Sequence, residues 1–346
     1  MRLAVGNAFS DDIAIDLGTV NTIVHVMGRG VVIDEPSVVA VRTGSGHRDV
    51  LAVGQQARQM LGRTPGSIET IRPLRDGVIA DFVATEEMLR QFIKRTRTSF
   101  LDFRRPRILI CVPAGATPVE RRAVYETAVQ AGARRVYIVE EPVAAAIGAG
   151  LPIDDPSGSM AVDIGGGTTD IAVLALGGVI EARSLRIAGN AMDEAIIRYI
   201  RREHQLIISE PNAERIKIEA GSASRAVNGL TSEIHIRGRD LLHGKPKGIV
   251  LLPQHVAEAL EEPIEAMAEF IERTLEDLPP EISSDICDRG IYLTGGGALL
   301  HKLDQELERR VGVPFLVSEN PLHCVVRGSA LLLANIDRRE HLLIHP

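Results

Sequence analysis

Two carboxylates, Asp16 and Asp163, each open a short turn built of Gly and Thr. The first turn runs through Leu17, Gly18, Thr19, Val20 and Asn21; the second runs through Gly165, Gly166, Gly167, Thr168 and Thr169 to Asp170. Glycine lets backbone N–H groups approach an anion with no Cβ in the way. Threonine hydroxyls add donors, and an Asp beside such a turn can hold Mg²⁺, usually through water. Residues 16–26 and 163–173 read almost as copies of each other. A repeated element of this kind points to two similar half-molecules facing one another. Two such turns can clamp the phosphates of a nucleotide from both sides. A third glycine run, Gly295, Gly296 and Gly297, precedes Ala298 and Leu299 where a strand gives way to a helix. That is another place where a ligand meets backbone and a helix N-terminus. One such run is often only a tight turn, but three at strand ends, two of them with Asp, make nucleotide binding the reading.

The elements that must carry these turns are legible in outline. Ile13, Ile15 and Leu17 alternate as a half-buried strand does, and residues 23–27, 30–33 and 38–41 continue a meander. Residues 107–112 form an apolar run ending at Pro113, as a buried strand would. A helix follows, with Thr117 as N-cap, Pro118 at the first helical position, Glu120 completing a capping box and Gly132 at its end. Residues 136–139 are the next strand, and Glu141-Pro142 opens an Ala-rich helix through Ile147. This strand–helix alternation argues an α/β fold. Ser157-Gly158 reads as the crossover between halves. Helices follow over 193–202 and 214–220, then a hairpin over 233–252 with Gly244 at its tip. The apolar stripe Leu260, Ile264, Met267, Ile271, Leu275 and Leu278 predicts one long helix over 256–278, stopped by Pro279-Pro280. Residues 291–294 are a strand, and Ala298 starts a helix.

Composition excludes several classes. The chain has 346 residues, so two domains are expected. Its 45% hydrophobic and 25% charged content is that of a soluble globular protein, and a net charge of −7 argues against a nucleic-acid partner. Cys111, Cys287 and Cys324 lie far apart with no CxxC, so reduced, mostly buried thiols are expected rather than zinc or disulfides. No GxxxxGK[ST], HExxH or GxGxxG after a strand occurs. The first twelve residues lack the apolar core of a signal peptide, and no segment approaches a membrane span. A cytoplasmic protein is expected.

Some residues admit two readings. Glu141, at a helix start after a strand, either orients an attacking water in phosphoryl transfer or favours the helix dipole as a first-turn acid. Lys217 alone would be a surface charge. The face of the 117–131 helix bearing Glu120, Arg121, Arg122 and Glu126 is either solvated or a pairing surface. Phe100, Leu101 and Phe103 stand among Arg97, Arg104, Arg105 and Arg107. They read either as a loop tucked onto the core or as a wedge entering a membrane surface.

Asp16-Leu-Gly-Thr, Glu141-Pro-Val-Ala-Ala-Ala, Asp163-Ile-Gly-Gly-Gly-Thr-Thr-Asp and Leu293-Thr-Gly-Gly-Gly-Ala-Leu-Leu occur in the order of the actin/Hsp70/hexokinase ATPase superfamily. Glu35-Pro-Ser-Val-Val-Ala, Gln59-Met-Leu-Gly-Arg-Thr-Pro-Gly, Arg72-Pro-Leu-Arg-Asp-Gly-Val-Ile-Ala-Asp-Phe, Gly132-Ala-Arg-Arg and Glu214-Arg-Ile-Lys bring it closer. On these strings the chain resembles the MreB family, the bacterial actins of rod-shape determination, over essentially its whole length. That family often has Asn where this chain has Asp34.

The resemblance implies a two-lobed actin-like ATPase fold, with duplicated ribonuclease-H-like domains around a central nucleotide cleft. Lobe I would be 1–156, with a small subdomain about 34–76 and closure by 325–346. Lobe II would be 157–324, with a small subdomain about 192–253. Gly18, Thr19, Val20 and Asn21 would line the first phosphate loop, and Gly165 to Thr169 the second. Asp16 and Asp163 would hold hydrated Mg²⁺. Glu141 and Thr168 would position the attacking water. Glu214 and Lys217, in the string with Arg215 and Ile216, would contact the nucleoside, and Gly295 to Leu299 would cover adenine and ribose. The implied activity is slow hydrolysis of ATP (or GTP) in filaments, paired through the 117–131 helix. These would lie on the inner face of the cell membrane through Phe100, Leu101 and Phe103 and work with cell-wall synthesis and morphogenesis proteins. An N-terminal second anchor would use Met1, Leu3, Val5 and Phe9, although Gly6 and Asn7 weaken a helix there. The rivals are a sugar kinase, an Hsp70-like ATPase, for which no peptide-binding region follows, and a paralogue positioning another cargo.

Overall fold

The computed structural model describes residues 12–44, 47–97, 105–225 and 233–345. Its frame is two five-stranded sheets of the same topology. In the first, the order is Arg135–Glu140, Arg107–Val112, Ile13–Leu17, Asn21–Val26, Gly30–Pro36. In the second it is Phe315–Val317, Ile291–Thr294, Ser159–Ile164, Thr169–Ala175, Gly178–Leu185. Each sheet is an antiparallel meander of three strands extended by two parallel ones. The duplication implied by the two Asp-headed turns is therefore a duplication of whole sheets. Each turn joins the first two strands of its meander, pairing Leu17 with Thr22 in one and Ile164 with Thr169 in the other.

Each sheet's last strand feeds a helix that leans on the other sheet. Glu141–Ala149 packs on Ser159–Ile164 and Thr169–Ala175, while Cys324–Ala334 packs on Ile13–Leu17, Asn21–Val26 and Arg107–Val112. The exchange creates a core shared by both lobes, with Leu109, Val139, Ala145, Ala172, Leu174 and Leu333 in one buried cluster. The two helices cross where Gly148 meets the backbone of Cys324 and Gly328 meets the backbone of Ala144. A Cβ at either glycine would overlap a main-chain carbonyl oxygen.

Smaller roofs cap the lobes. Val39–Gly44, His47–Val53 and Ile68–Ile71 form a three-stranded sheet with the helix Gln55–Arg58 beside it. On the other lobe, Leu206–Ile207, Ile234–Asp240 and Pro246–Leu251 pair beneath the helices Gly189–His204 and Glu210–Ala220. The capping box at Thr117 and Glu120 forms as the sequence predicts, and the hairpin carries Gly244 between its strands.

Three expectations are corrected. The strand beginning near Val38 leaves the meander for the roof, because Ser37 turns the chain: its N–H donates to Val20 O and its hydroxyl to Gly18 O. The helix expected over 256–278 is two helices, Pro253–Ala259 and Glu261–Glu276. Pro263 has no N–H for the carbonyl four residues back, at Ala259, where the first helix ends. The apolar stripe survives the break, with Leu260, Ile264, Met267 and Ile271 fully buried. The helix expected from Ala298 is a short 3₁₀ segment, Gly296–Leu299, and the α-helix begins at Leu303. The chain leaves helical geometry after Leu299, with Leu300 extended at ψ 128° and Lys302 left-handed at φ 60°.

Candidate functional site

Between the lobes lies a cavity of about 530 Å³. Its wall gathers Asp16, Gly18, Thr19, Val20 and Asn21 from one lobe and Asp163 with Gly165 to Thr168 from the other. The two turns touch. A Cβ on Gly166 would run into the Val20 side chain, and one on Gly167 would stand 2.7 Å from Thr19 Oγ1 and 2.8 Å from Asp76 Cα. The glycines are there because no larger residue lets the turns meet. Ser37 braces the first turn through Gly18 O at 2.7 Å and Thr22 Oγ1 at 2.8 Å. The Thr19 hydroxyl accepts from Gly77 N–H at 2.9 Å, which leaves its own proton to donate. The start of the Gly189–His204 helix is fastened to the second turn: Gly189 N–H donates to Gly165 O and Asn190 N–H to Gly166 O.

Four carboxylates converge beneath the turns. Burial, then the neighbouring charges of Asp163 and Asp34, pushes Asp16 up to about 8. Burial pushes Asp163 up to about 7 although the Thr294 hydroxyl, donating at 2.6 Å, works the other way. Glu141 rises well above the ordinary range through burial and the charges of Asp170, Asp16 and Asp163. Asp170 is also raised by burial, against hydrogen bonds from the Thr168 and Ser184 hydroxyls and from Ala114 N–H. So much negative charge in a dry place asks for a cation. Among the described residues no cluster of three or more His, Cys, Asp or Glu forms a protein-only metal site. Two carboxylates beside glycine turns suit an Mg²⁺ that keeps several waters better than they suit a closed cage.

At the other end, Glu214, Lys217 and Ile218 line the cavity from one face of the helix Glu210–Ala220. Lys217 Nζ pairs with Asp193 at 2.9 Å and donates to Gly189 O at 2.8 Å, so it is no free surface charge. Burial raises Asp193 to about 6, with Lys217 opposing. Gly295, Gly296, Gly297 and Leu299 line the same end with Leu322.

Four residues expected at the site are not on its wall. Arg215 points outward to Glu219 at 2.8 Å, and Ile216 is buried in the lobe core. Glu214, Lys217, Ile218 and Glu219 line the cavity, while Ile216 lies on the core-facing side of the helix. Ala298 faces the core, and Thr169 points away, donating to Ile187 O. Sequence reasoning missed Arg58, Arg72, Asp193, Ile218 and His301, which do line the cavity. Arg72 opens a string matched to the MreB family, and Arg58 immediately precedes another. Nothing in their spacing says that they reach the opposite lobe, where Arg58 meets Glu214 across 156 residues of sequence and Arg72 meets Glu210.

The duplicated sheets, exchanged helices and cleft with two Asp-headed turns define an actin-like α/β fold. The family model described as MreB/Mbl protein matches residues 10–341. The cell shape-determining protein MreB of Escherichia coli K12 is 52% identical over 331 residues, covering 95% of each chain. The cell shape-determining protein Mbl of Bacillus subtilis is 50% identical over 330 residues, covering 95% of this chain and 98% of that one. Among solved structures, MreB5 of Spiroplasma citri bound to AMPPNP superposes with a TM-score of 0.88 at 34% identity, covering 95% of this chain and 97% of that one. A MamK double helical filament has a TM-score of 0.77 at 24% identity, covering 93% and 99%. This chain belongs to the MreB/Mbl family.

Proposed function

We propose that this protein binds ATP (or GTP) with Mg²⁺ in the interlobe cleft, hydrolyses it slowly, and assembles into filaments that organise cell-wall synthesis and cell shape. The observation that carries the reading is the meeting of two glycine turns over the buried carboxylates Asp163, Asp170 and Glu141 and the half-buried Asp16. Its neighbour MreB5 was solved with AMPPNP and with ADP, and MamK as a filament, which supports the same chemistry here.

The turn residues Gly18 to Asn21 and Gly165 to Thr168 cradle the phosphates through backbone N–H groups and the Thr19 hydroxyl. Asp16 and Asp163 hold the hydrated cation, which supplies charge neutralisation when bound. Glu141, at the first helical position beneath the turns, orients a water with the help of Thr168. Glu214 and Lys217 meet the nucleoside from one side; Gly295 to Gly297 and Leu299 meet it from the other.

Filament pairing uses the helix Pro118–Gln130. Its outer surface carries the Arg122–Glu126 ion pair at 2.8 Å with exposed Val119 and Val129. Arg121 belongs less to that face: its Nε is buried, and its charge acts on Glu140. Membrane attachment is assigned to Phe100, Leu101 and Phe103, which lie outside the described residues. No helix among the described residues is long and apolar enough to cross a membrane; the attachment proposed is peripheral, on the inner face. Burying two or three such side chains is worth about 1.5–3 kcal/mol each before ordering costs, so a filament with many copies binds where a monomer does not.

Sedimentation of the purified chain with anionic liposomes, with and without Mg-ATP, tests the whole reading. The protein should pellet with lipid when Mg-ATP drives assembly. Pelleting that ignores nucleotide would contradict it.

A further inference from the structure

Two ion pairs join the roofs of the lobes across the cavity mouth. Arg58, the last residue of the helix Gln55–Arg58, places Nη2 at 2.7 Å from Glu214 Oε2. Arg72, just beyond the strand Ile68–Ile71, places Nη2 at 3.6 Å from Glu210 Oε2. The two glutamates stand one turn apart on the helix Glu210–Ala220, and both arginines come from the opposite roof. Among the described residues no other ion pair links these two roofs. The Arg58–Glu214 pair is partly desolvated, at 38% and 19% side-chain exposure, whereas Glu210 is 67% exposed. Arg58, Arg72 and Glu214 all line the cavity above the glycine turns, so the pairs close its rim over whatever lies below.

We infer that Arg58–Glu214, seconded by Arg72–Glu210, is a clasp across the cleft that sets how fast a nucleotide enters and leaves. The inference rests on the nucleotide reading above. Both charges of each pair come from the protein's own roofs, so no ligand atom is needed to complete it. A contact made equally by the free and the occupied protein cancels from the affinity, because a ligand shifts an equilibrium only through differential interaction. It still has to break whenever the roofs part, so its free energy appears in the barriers of both entry and exit. A pair this exposed is modest and salt-sensitive. Its removal should speed both steps by about two- to fivefold.

The test is stopped-flow binding and displacement of a fluorescent N-methylanthraniloyl ATP with Mg²⁺, on the full chain. The parent is compared with Arg58→Ala, Arg58→Lys, and Arg58→Ala combined with Arg72→Ala. The clasp predicts that Arg58→Ala raises association and dissociation rates together by about two- to fivefold, with Kd changed by less than about twofold. The double variant should go further, and Arg58→Lys should return towards the parent. Added salt should speed exchange in the parent more than in the double variant. Unchanged rates in Arg58→Ala overturn the clasp. So does a faster dissociation with unaltered association, because Arg58 would then be a direct nucleotide contact. A parent that binds no nucleotide removes the underlying reading, and the clasp with it, which is a result distinct from either of those.

Discussion

Gly328→Ala puts the exchanged-helix core to a quantitative test. By helix propensity alone the change should help, since Ala is favoured over Gly by about 1 kcal/mol in a helix interior. The structure reverses the sign. A Cβ at 328 would overlap the Ala144 carbonyl oxygen and stand 2.7 Å from its carbon and 2.8 Å from Gly148 N. Ordinary carbon contacts lie at about 3.5–4.0 Å, so the helices would have to part by roughly 1 Å. No flexible side chain can yield, because every atom in the way is main chain. Overpacking of this kind costs about 1–3 kcal/mol, and the parting also loosens Val143, Val325 and Leu333 in the shared core. Offsetting propensity against the upper part of that range leaves a net destabilisation of about 2 kcal/mol. In a chain of this size that is a fall in Tm of roughly 3 °C. Equilibrium urea unfolding and a thermal scan on nucleotide-free protein read it out. Gly66→Ala is the control, since nothing lies within 4 Å of a Cβ there, and should change stability by no more than about 0.5 kcal/mol. A Gly328→Ala protein as stable as its parent would refute the close crossing.

Asp16 at about 8 and Asp163 at about 7 stand above their ordinary value of 3.8. For acids raised in the folded state, their contribution to stability is complete below the ordinary value and is lost as pH rises towards the folded ones. Nucleotide-free protein should therefore lose stability from about pH 4 towards pH 8, while Mg-nucleotide affinity, which needs both carboxylates ionised, should climb from pH 6 to 8.5; calorimetric affinities that stay flat would contradict this. Asp163→Ala should weaken Mg-ATP binding at least tenfold at pH 8 in the same titration. Exchanging the charges at Arg122 and Glu126 keeps their intrahelical pair but inverts the surface pattern, so electron microscopy should show single strands with nucleotide affinity unchanged. Replacing Phe100 and Leu101 with Ser should leave ATP-driven assembly intact while releasing filaments from anionic liposomes, measured by co-sedimentation.

The parts of this fold that were legible in the sequence are local. The Asp-headed turns announced themselves because glycine runs and hydroxyls in fixed order have few other uses. The Thr117–Glu120 box, the Gly244 hairpin and the buried stripe from Leu260 to Ile271 follow from chemistry within a few residues. The single long helix suggested by the apolar stripe is two helices, because the stripe runs on through Pro263 while the backbone hydrogen bonding does not. Ser37 was missed as a chain-turning residue because its partners, Gly18 and Val20, are set by the fold. What sequence could not give is pairing across the duplication. Gly148 and Gly328 look like weak points in two separate helices until the helices cross. Arg58 reads as a helix-end cation until Glu214 is opposite it. Of the string Glu214-Arg-Ile-Lys217 only Glu214 and Lys217 line the cavity, because a contiguous run on a helix spreads over its faces.

The central claim is that the cleft binds a nucleotide and that a buried carboxylate beneath its turns helps break the phosphate bond. The most direct measurement is phosphate release from saturating Mg-ATP by the parent and by Glu141→Ala, with affinity for each measured alongside. The parent should release phosphate slowly and the variant about a hundredfold or more slowly still, with affinity within about twofold. Equal rates in the two proteins, or a parent that neither binds nor hydrolyses ATP, would contradict it.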